Sequence, residues 1–132
     1  MIKNILISSL IVTIVLIYIF KLPNLITNAN KLIKEYYYDD FLKSLILDLI
    51  LFQIYIAIGN YIIHYFKIKN LSNKIFVIAA TSMIISTIFM ILFLNFASKD
   101  LFFYRWFNRV KFLAVIYDII IVSSVYILSE YL

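Results

Sequence analysis

The sequence predicts an all-α integral membrane protein: a bundle of four transmembrane helices with an amphipathic interfacial helix between the first two. Of the 132 residues, 65% are hydrophobic and only 14% are charged, whereas soluble domains are about 45–50% apolar and about 25% charged. A water-soluble chain this small has too little interior for so much apolar side chain. The pattern therefore indicates a single transmembrane domain over residues 1–132, with helices that satisfy their own backbone in lipid.

The first predicted span covers residues 5–22, and Pro23 is expected to end it because proline lacks a backbone donor. A cleaved signal peptide is the alternative, since the segment combines Lys3 with an apolar core. The sequence after that core, Ile19-Phe20-Lys21-Leu22-Pro23, contains no small-x-small cleavage site. We therefore favour an uncleaved anchor.

Residues 24–38 are predicted to form an amphipathic helix in the headgroup plane, because apolar residues recur there every three or four positions. An N-terminal extension of the second span would give the same periodicity, and the sequence does not separate the two. In either case we expect Tyr36, Tyr37 and Tyr38 to anchor the chain at the membrane interface.

Three further spans are predicted at residues 41–65, 75–96 and 110–132, each about the ~20 residues that cross about 30 Å of hydrocarbon. The connection between the last two is rich in aromatic residues, of which Tyr104 and Trp106 are expected to be interface anchors.

Composition excludes several classes of site. The chain has no cysteine, one histidine, one glycine and one proline, so cysteine chemistry, phosphate loops and histidine-based metal sites are not expected. No nucleophile and base are arranged together, and we expect neither an enzyme nor a cofactor. The basic residues lie between apolar runs, where they set topology and meet lipid headgroups, so nucleic acid is not an expected partner.

Lysine and arginine are unevenly divided between the two sides of the predicted bundle. Eight belong to the first and third connections and the adjoining helix starts, against four at the N-terminus and second connection. The positive-inside rule then places the first and third connections on the cytoplasmic or equivalent side.

Asp48 and Asp118 are the most informative residues, because each interrupts an apolar run, at 45–58 and 112–122. An ionisable group at membrane depth costs at least about 2.5–3.5 kcal/mol and needs a partner or a function. The second and fourth spans run parallel in a four-span protein. Each aspartate lies about 10–12 Å along its helix at 1.5 Å per residue, so the two carboxylates are predicted at the same depth.

A shift of 70 residues superposes the second span on the fourth, which raises the possibility of an internal duplication. Asp48 then meets Asp118, and small residues on the same helical face also correspond, Ser44 with Ala114 and Gly59 with Ser129. Small residues let membrane helices approach closely. We predict packing seams at these four positions and at a small face of the third span formed by Ala79, Ser82 and Ser86.

The two carboxylates admit three interpretations. They bond inside the bundle, either to basic side chains or to Ser and Tyr hydroxyls; they share a proton or bind a cation, because like charges at one depth repel; or they face another subunit. The candidate basic partners are Lys43, Lys111, Arg105 and Arg109. A transport pathway usually has helices broken by Gly or Pro, which these spans lack apart from Gly59.

The segment Arg105-Trp106-Phe107-Asn108-Arg109-Val110-Lys111, followed by Val115-Ile116-Tyr117-Asp118, resembles small multi-pass membrane proteins of large nucleocytoplasmic DNA viruses. The resemblance covers roughly the last 30 residues and implies a role in the internal membrane of a virion, beneath the capsid, with no catalytic residues.

The leading hypothesis is thus a non-enzymatic structural membrane protein of a virus, in the internal membrane of the virion or in a host endomembrane, that organises helix or subunit contacts. The expected partners are the lipid bilayer and other membrane or capsid proteins, and the sequence points to no small-molecule substrate. The alternatives are an organelle-encoded subunit of a respiratory or ATP-synthase complex in the mitochondrial inner membrane, and a small ion channel or transporter that uses the aspartate pair.

Overall fold

The computed structural model describes residues 2–27, 30–39, 41–96 and 98–132. Of these, 90% are helical and none forms a strand, which confirms the all-α prediction. Seven α-helices and two π-helical turns follow one another: α1 Ile2–Val12, π1 Thr13–Ile19, α2 Leu22–Thr27, α3 Asn30–Ile33, π2 Lys34–Asp39, α4 Phe41–Tyr65, α5 Leu71–Phe96, α6 Phe102–Val110 and α7 Phe112–Tyr131.

Three helices of the described chain are long and apolar enough to cross a membrane: α4, α5 and α7, with 25, 26 and 20 residues. At 1.5 Å per residue even α7 extends about 30 Å, the thickness of the hydrocarbon core. These helices fit an integral membrane protein. Helix α5 lies between the other two along the chain, so α4 and α7 run in the same direction, as the sequence predicts.

The prediction of four membrane-spanning helices is wrong, because the first apolar segment is too short. Its continuous apolar helix runs over Lys3–Ile19, which at 1.5 Å per residue extends about 25 Å, less than the ~30 Å of hydrocarbon. The helix ends before Lys21, whose φ of 52° lies in the left-handed region. Pro23 does not end this helix but lies in the first turn of α2, where its missing donor costs nothing.

Helix α7 is the centre of the bundle. It packs most extensively against α5 and next against α1, while α4 packs mainly against α5. Its core side chains Ile121, Val122 and Val125 are almost completely inaccessible. On α5 the buried face carries small hydroxyl side chains, including Ser82 and Ser86, and such residues let membrane helices approach closely.

The connections form a roof over one end of the bundle. α2, α3 and π2 belong to the first connection and α6 to the third, and α6 contacts α5, α7 and α3. The predicted interfacial helix over 24–38 is here several short helical segments, and its residues 28 and 29 lie outside the described part of the chain. Lys111, with φ 56°, separates α6 from α7, which lets α6 change direction and cover the bundle end.

Gly59 of α4 lies directly against Ile78 of α5. A Cβ added at Gly59 would lie 2.5 Å from Cδ1 of Ile78, whereas the next nearest atoms of Ile78 would be at 3.6 and 3.7 Å. Ile78 is itself 1% exposed. Because Gly59 has no side chain, the Cδ1 methyl group of Ile78 can occupy this position.

This close approach can be tested with a double-mutant cycle. Gly59→Ala gains up to about 1 kcal/mol of helix propensity but overpacks Ile78 at a cost of about 1–3 kcal/mol, so we expect a lower melting temperature in detergent. Ile78→Val removes Cδ1 and costs about 0.5–1.5 kcal/mol alone. In the Ile78→Val background we expect Gly59→Ala to be neutral or stabilising. Additive effects of the two substitutions would contradict this packing.

Candidate functional site: a cavity with two carboxylates and an aromatic wall

Asp48 and Asp118 line the same cavity. Its volume is about 240 Å³, and it lies where the first half of α4 and α7 and the last half of α5 meet the roof. Sixteen described residues line it: Ile33, Tyr36, Tyr37, Leu47, Asp48, Leu51, Phe52, Tyr55, Phe89, Phe93, Phe102, Phe103, Trp106, Phe107, Tyr117 and Asp118. The two aspartates, 70 positions apart in the sequence, therefore share one space.

Asp48 is held by a tyrosine of the roof. The Asp48 side chain is 7% exposed, and its Oδ1 accepts a hydrogen bond of 2.8 Å from the Tyr36 hydroxyl. The Tyr36 carbonyl in turn accepts a hydrogen bond from Ser44 Oγ, one helical turn before Asp48. Burial, reinforced by the Asp48 carboxylate, raises the pKa of Tyr36, so its phenol stays protonated and acts as the donor.

Asp118 is held by a serine of the neighbouring helix. Ser86 Oγ donates a hydrogen bond of 2.6 Å to Asp118 Oδ2, which joins α5 to α7 at the cavity. Ser86 is fully buried, and Asp118 is only partly buried. Each carboxylate thus links two elements through a neutral hydroxyl.

The rest of the cavity surface is aromatic, and the rings are ordered by mutual contacts. Phe102 of α6 stacks on Tyr36 with centroids 4.6 Å apart and planes at 18°, and on Trp106 at 6.2 Å and 17°. Trp106 meets the edge of Tyr117 at 6.3 Å. On the α5 side, Phe93 stacks on Phe107 at 6.1 Å. Such offset and edge-to-face pairs stabilise a fixed arrangement of rings.

The wall also contains one tyrosine pair. The Tyr37 and Tyr117 hydroxyl oxygens are 2.8 Å apart and both residues are buried, so a hydrogen bond joins the roof to α7. The polar side chains that line the cavity are four tyrosines, one tryptophan and two aspartates, and the other lining side chains are hydrocarbon.

The sequence leaves two kinds of partner open for the aspartates, basic side chains and Ser or Tyr hydroxyls. The structure shows hydroxyl partners for both. In the part of the chain that it describes, neither carboxylate has a lysine or arginine within ion-pair distance. Arg105 instead lies beside Glu35, with Nη1 3.0 Å from Oε1 and 2.9 Å from Oε2. The other three basic candidates, Lys43, Arg109 and Lys111, are exposed.

A second cavity, of about 340 Å³, adjoins the first and shares Tyr36, Leu47, Phe93, Phe102 and Phe103 with it. The rest of its lining includes both signs of charge: Glu35, Lys43, Asp100 and Arg105. We call this second space the charged vestibule. It lies on the roof side, where the sequence concentrates basic residues.

The predicted interface anchors divide into two groups. Tyr38 is 45% exposed and Tyr104 is partly exposed, whereas Tyr36, Tyr37 and Trp106 are buried in the cavity wall. Sequence reasoning missed the role of Trp106, Phe102 and Phe107 as cavity wall. Trp106 and Phe107 lie four and five positions after Phe102 on the nine-residue helix α6, and this spacing was the available signal that the three rings share one face.

The residues predicted to pack helices together are buried or partly buried. Ser44, Gly59, Ser82, Ser86 and Ala114 are buried, and Ala79 and Ser129 are partly buried. Ser44 and Ser86 also contribute to the carboxylate network described above.

The described residues contain no group of three or more His, Asp or Glu side chains that could hold a metal ion. What the cavity can do chemically is to place negative charge and π faces around a guest.

Tyr36→Phe removes the phenol from Asp48 but keeps the ring that stacks on Phe102. We expect a loss of about 1–3 kcal/mol in the free energy of unfolding, because a buried carboxylate loses a donor. Tyr38→Phe is the matched control, since its ring is 45% exposed and its hydroxyl does not line the cavity. Thermal unfolding in detergent measures both, and equal stabilities of the two variants would contradict the role of this bond.

Comparison with known proteins gives no further assignment. No protein-family model matches the chain, and no curated protein or solved structure matches it. The resemblance of the last 30 or so residues to viral membrane proteins therefore stays a prediction, and the function has to be argued from the geometry of the cavity.

Proposed function

We propose that this chain is a non-enzymatic integral membrane protein that binds a cation in the cavity between Asp48 and Asp118. The observation that carries the proposal is that two carboxylates from different helices line one cavity, and neither has a basic partner in the described chain. The three membrane-length helices support the membrane setting.

The physical reason is the cost of negative charge at membrane depth. One ionised carboxylate there already costs at least about 2.5–3.5 kcal/mol, and two facing the same space also repel each other. Neutral hydroxyls from Tyr36 and Ser86 stabilise the carboxylates without compensating their charge. A shared proton or a bound cation does compensate it, and the cavity supplies the room for a cation.

A structural role is the second candidate, favoured by the same two hydrogen bonds. Tyr36–Asp48 joins the roof to α4, and Ser86–Asp118 joins α5 to α7. In this role the carboxylates organise the bundle, as in the virion-membrane scaffold that the sequence resemblance suggests, and the cavity has no ligand.

Melting temperatures of Asp48→Asn and Asp118→Asn, with and without added cations, separate the two candidates. A ligand at 100 times its Kd stabilises the folded state by about 2.7 kcal/mol. For cation binding we expect the wild type to melt higher with one or more of Na⁺, K⁺ and organic ammonium salts, and the Asn variants to lose that increment.

Asp39→Asn is the control, because Asp39 is exposed and outside the cavity; it should keep the full cation effect. If no cation raises the melting temperature of the wild type while both Asn variants melt lower, the structural role is correct and cation binding is wrong.

A further inference from the structure

We infer that the cavity between Asp48 and Asp118 binds an organic ammonium ion carrying a single aromatic ring, rather than a metal ion. The inference rests on the proposed function and names the ligand class of that site. It is argued from the volume of the cavity, the composition of its wall and the placement of its two carboxylates.

Volume sets the size of the guest. An apolar cavity of about 150 Å³ holds benzene, and this one measures about 240 Å³. A benzene ring with an attached trimethylammonium group is a guest of suitable size. A bare alkali or alkaline-earth ion would leave most of the space empty beside hydrocarbon surface, which forfeits contacts.

The wall favours a soft cation. Eleven of the sixteen lining residues are aromatic, and aromatic faces attract quaternary ammonium groups, most strongly where water is excluded. One ring of this wall already makes a cation–π contact within its own helix, since the Arg105 guanidinium carbon lies 5.9 Å from the Phe102 ring centroid. A lipophilic ammonium has a weakly held hydration shell, so the wall need not supply oxygen ligands.

Around this cavity the described residues form no group of three or more His, Asp or Glu side chains that could hold a metal ion. Ca²⁺ takes six to eight oxygen ligands and Mg²⁺ near-octahedral geometry, whereas the cavity offers two carboxylates, each already accepting a hydrogen bond. For an ammonium ion, charge near the cation is sufficient, and direct coordination is not needed.

The carboxylates also argue against a neutral guest. With one shared proton the Asp48–Asp118 pair carries a single negative charge. An entirely apolar ligand would leave that charge uncompensated, whereas one ammonium group placed between the carboxylates would compensate it.

The chain contains its own reporter for this site. Trp106 is the single tryptophan of the sequence, is 7% exposed and lines the cavity. Any change in tryptophan fluorescence on titration therefore arises from residue 106, and a cation seated against the indole is expected to change its emission.

The experiment is a fluorescence titration of the purified full chain in detergent with benzyltrimethylammonium. Its carbon isostere, neopentylbenzene, has the same shape without the charge, and NaCl, KCl and CaCl₂ test inorganic cations. We expect saturable fluorescence change with benzyltrimethylammonium, and at least about tenfold weaker binding of the neutral isostere, since 1.4 kcal/mol corresponds to a factor of ten.

Three variants test the contacts. Asp118→Asn is expected to weaken benzyltrimethylammonium at least about tenfold and to leave neopentylbenzene unchanged. Phe107→Leu keeps the wall apolar but removes one π face, and should weaken the ammonium about three- to tenfold while changing the isostere less. Asp39→Asn should change neither. The charged ligand and its neutral isostere are also compared on the wild-type protein, so this comparison does not depend on the folding of a variant.

The outcomes are distinct. Saturable, charge-dependent binding that Asp118→Asn weakens supports the inference. Equal affinity for the charged ligand and its neutral isostere overturns it, as does binding of inorganic cations alone, which leaves the proposed cation site in place. If neither the organic nor the inorganic cations bind, the inference and the proposed function both fail.

Discussion

The architecture depends on how a carboxylate is accommodated within a membrane helix. Asp48 is buried in α4, one of the three membrane-length helices. An uncompensated polar group is costly there, and the group that reaches it comes from outside those helices. The Tyr36 hydroxyl can donate to Asp48 only if π2 folds back over the end of the bundle. The same residue is fixed a second time through its carbonyl by Ser44. One hydrogen-bonded tyrosine thus explains why the first connection lies against the helices and forms a roof.

The third connection depends on the first for its position. Phe102 stacks on Tyr36, and Trp106 continues the stack toward Tyr117 of α7. α6 can reach this position because Lys111 adopts a left-handed conformation that stops α6 and α7 from forming one continuous helix. The energetic cost of that conformation in a non-glycine residue is of order 1–3 kcal/mol, which the aromatic contacts of α6 offset. The cavity is therefore a consequence of two connections that are each bent inward.

Much of this could be predicted from the sequence, where local pattern determines the outcome. Composition and run length indicate the helices α4, α5 and α7, and the interruption of apolar runs identifies Asp48 and Asp118. The first span was predicted wrongly because hydropathy registers apolar character but not the point where Lys21 breaks the helix. The spacing on α6 indicates that Phe102, Trp106 and Phe107 share a face, but not what that face packs against. Trp106 in a connection has the pattern of an interface anchor, and its burial depends on a contact with Tyr117 and on the stack of Phe102 with Tyr36.

The charged vestibule makes the interior of the molecule more polar on the roof side than in the first cavity. Its Glu35–Arg105 ion pair joins the two connections across 70 positions and is about 40% exposed on both sides, so it contributes at most about 1 kcal/mol and weakens with salt. The aromatic stack behind it holds the roof more firmly than the pair does. The ion pair is therefore the weaker of the two contacts that hold the connections together at this end of the bundle. From the vestibule to the first cavity, the lining changes from side chains of both charges to aromatic rings with two carboxylates. A chain of 132 residues thus encloses two adjoining spaces of different polarity.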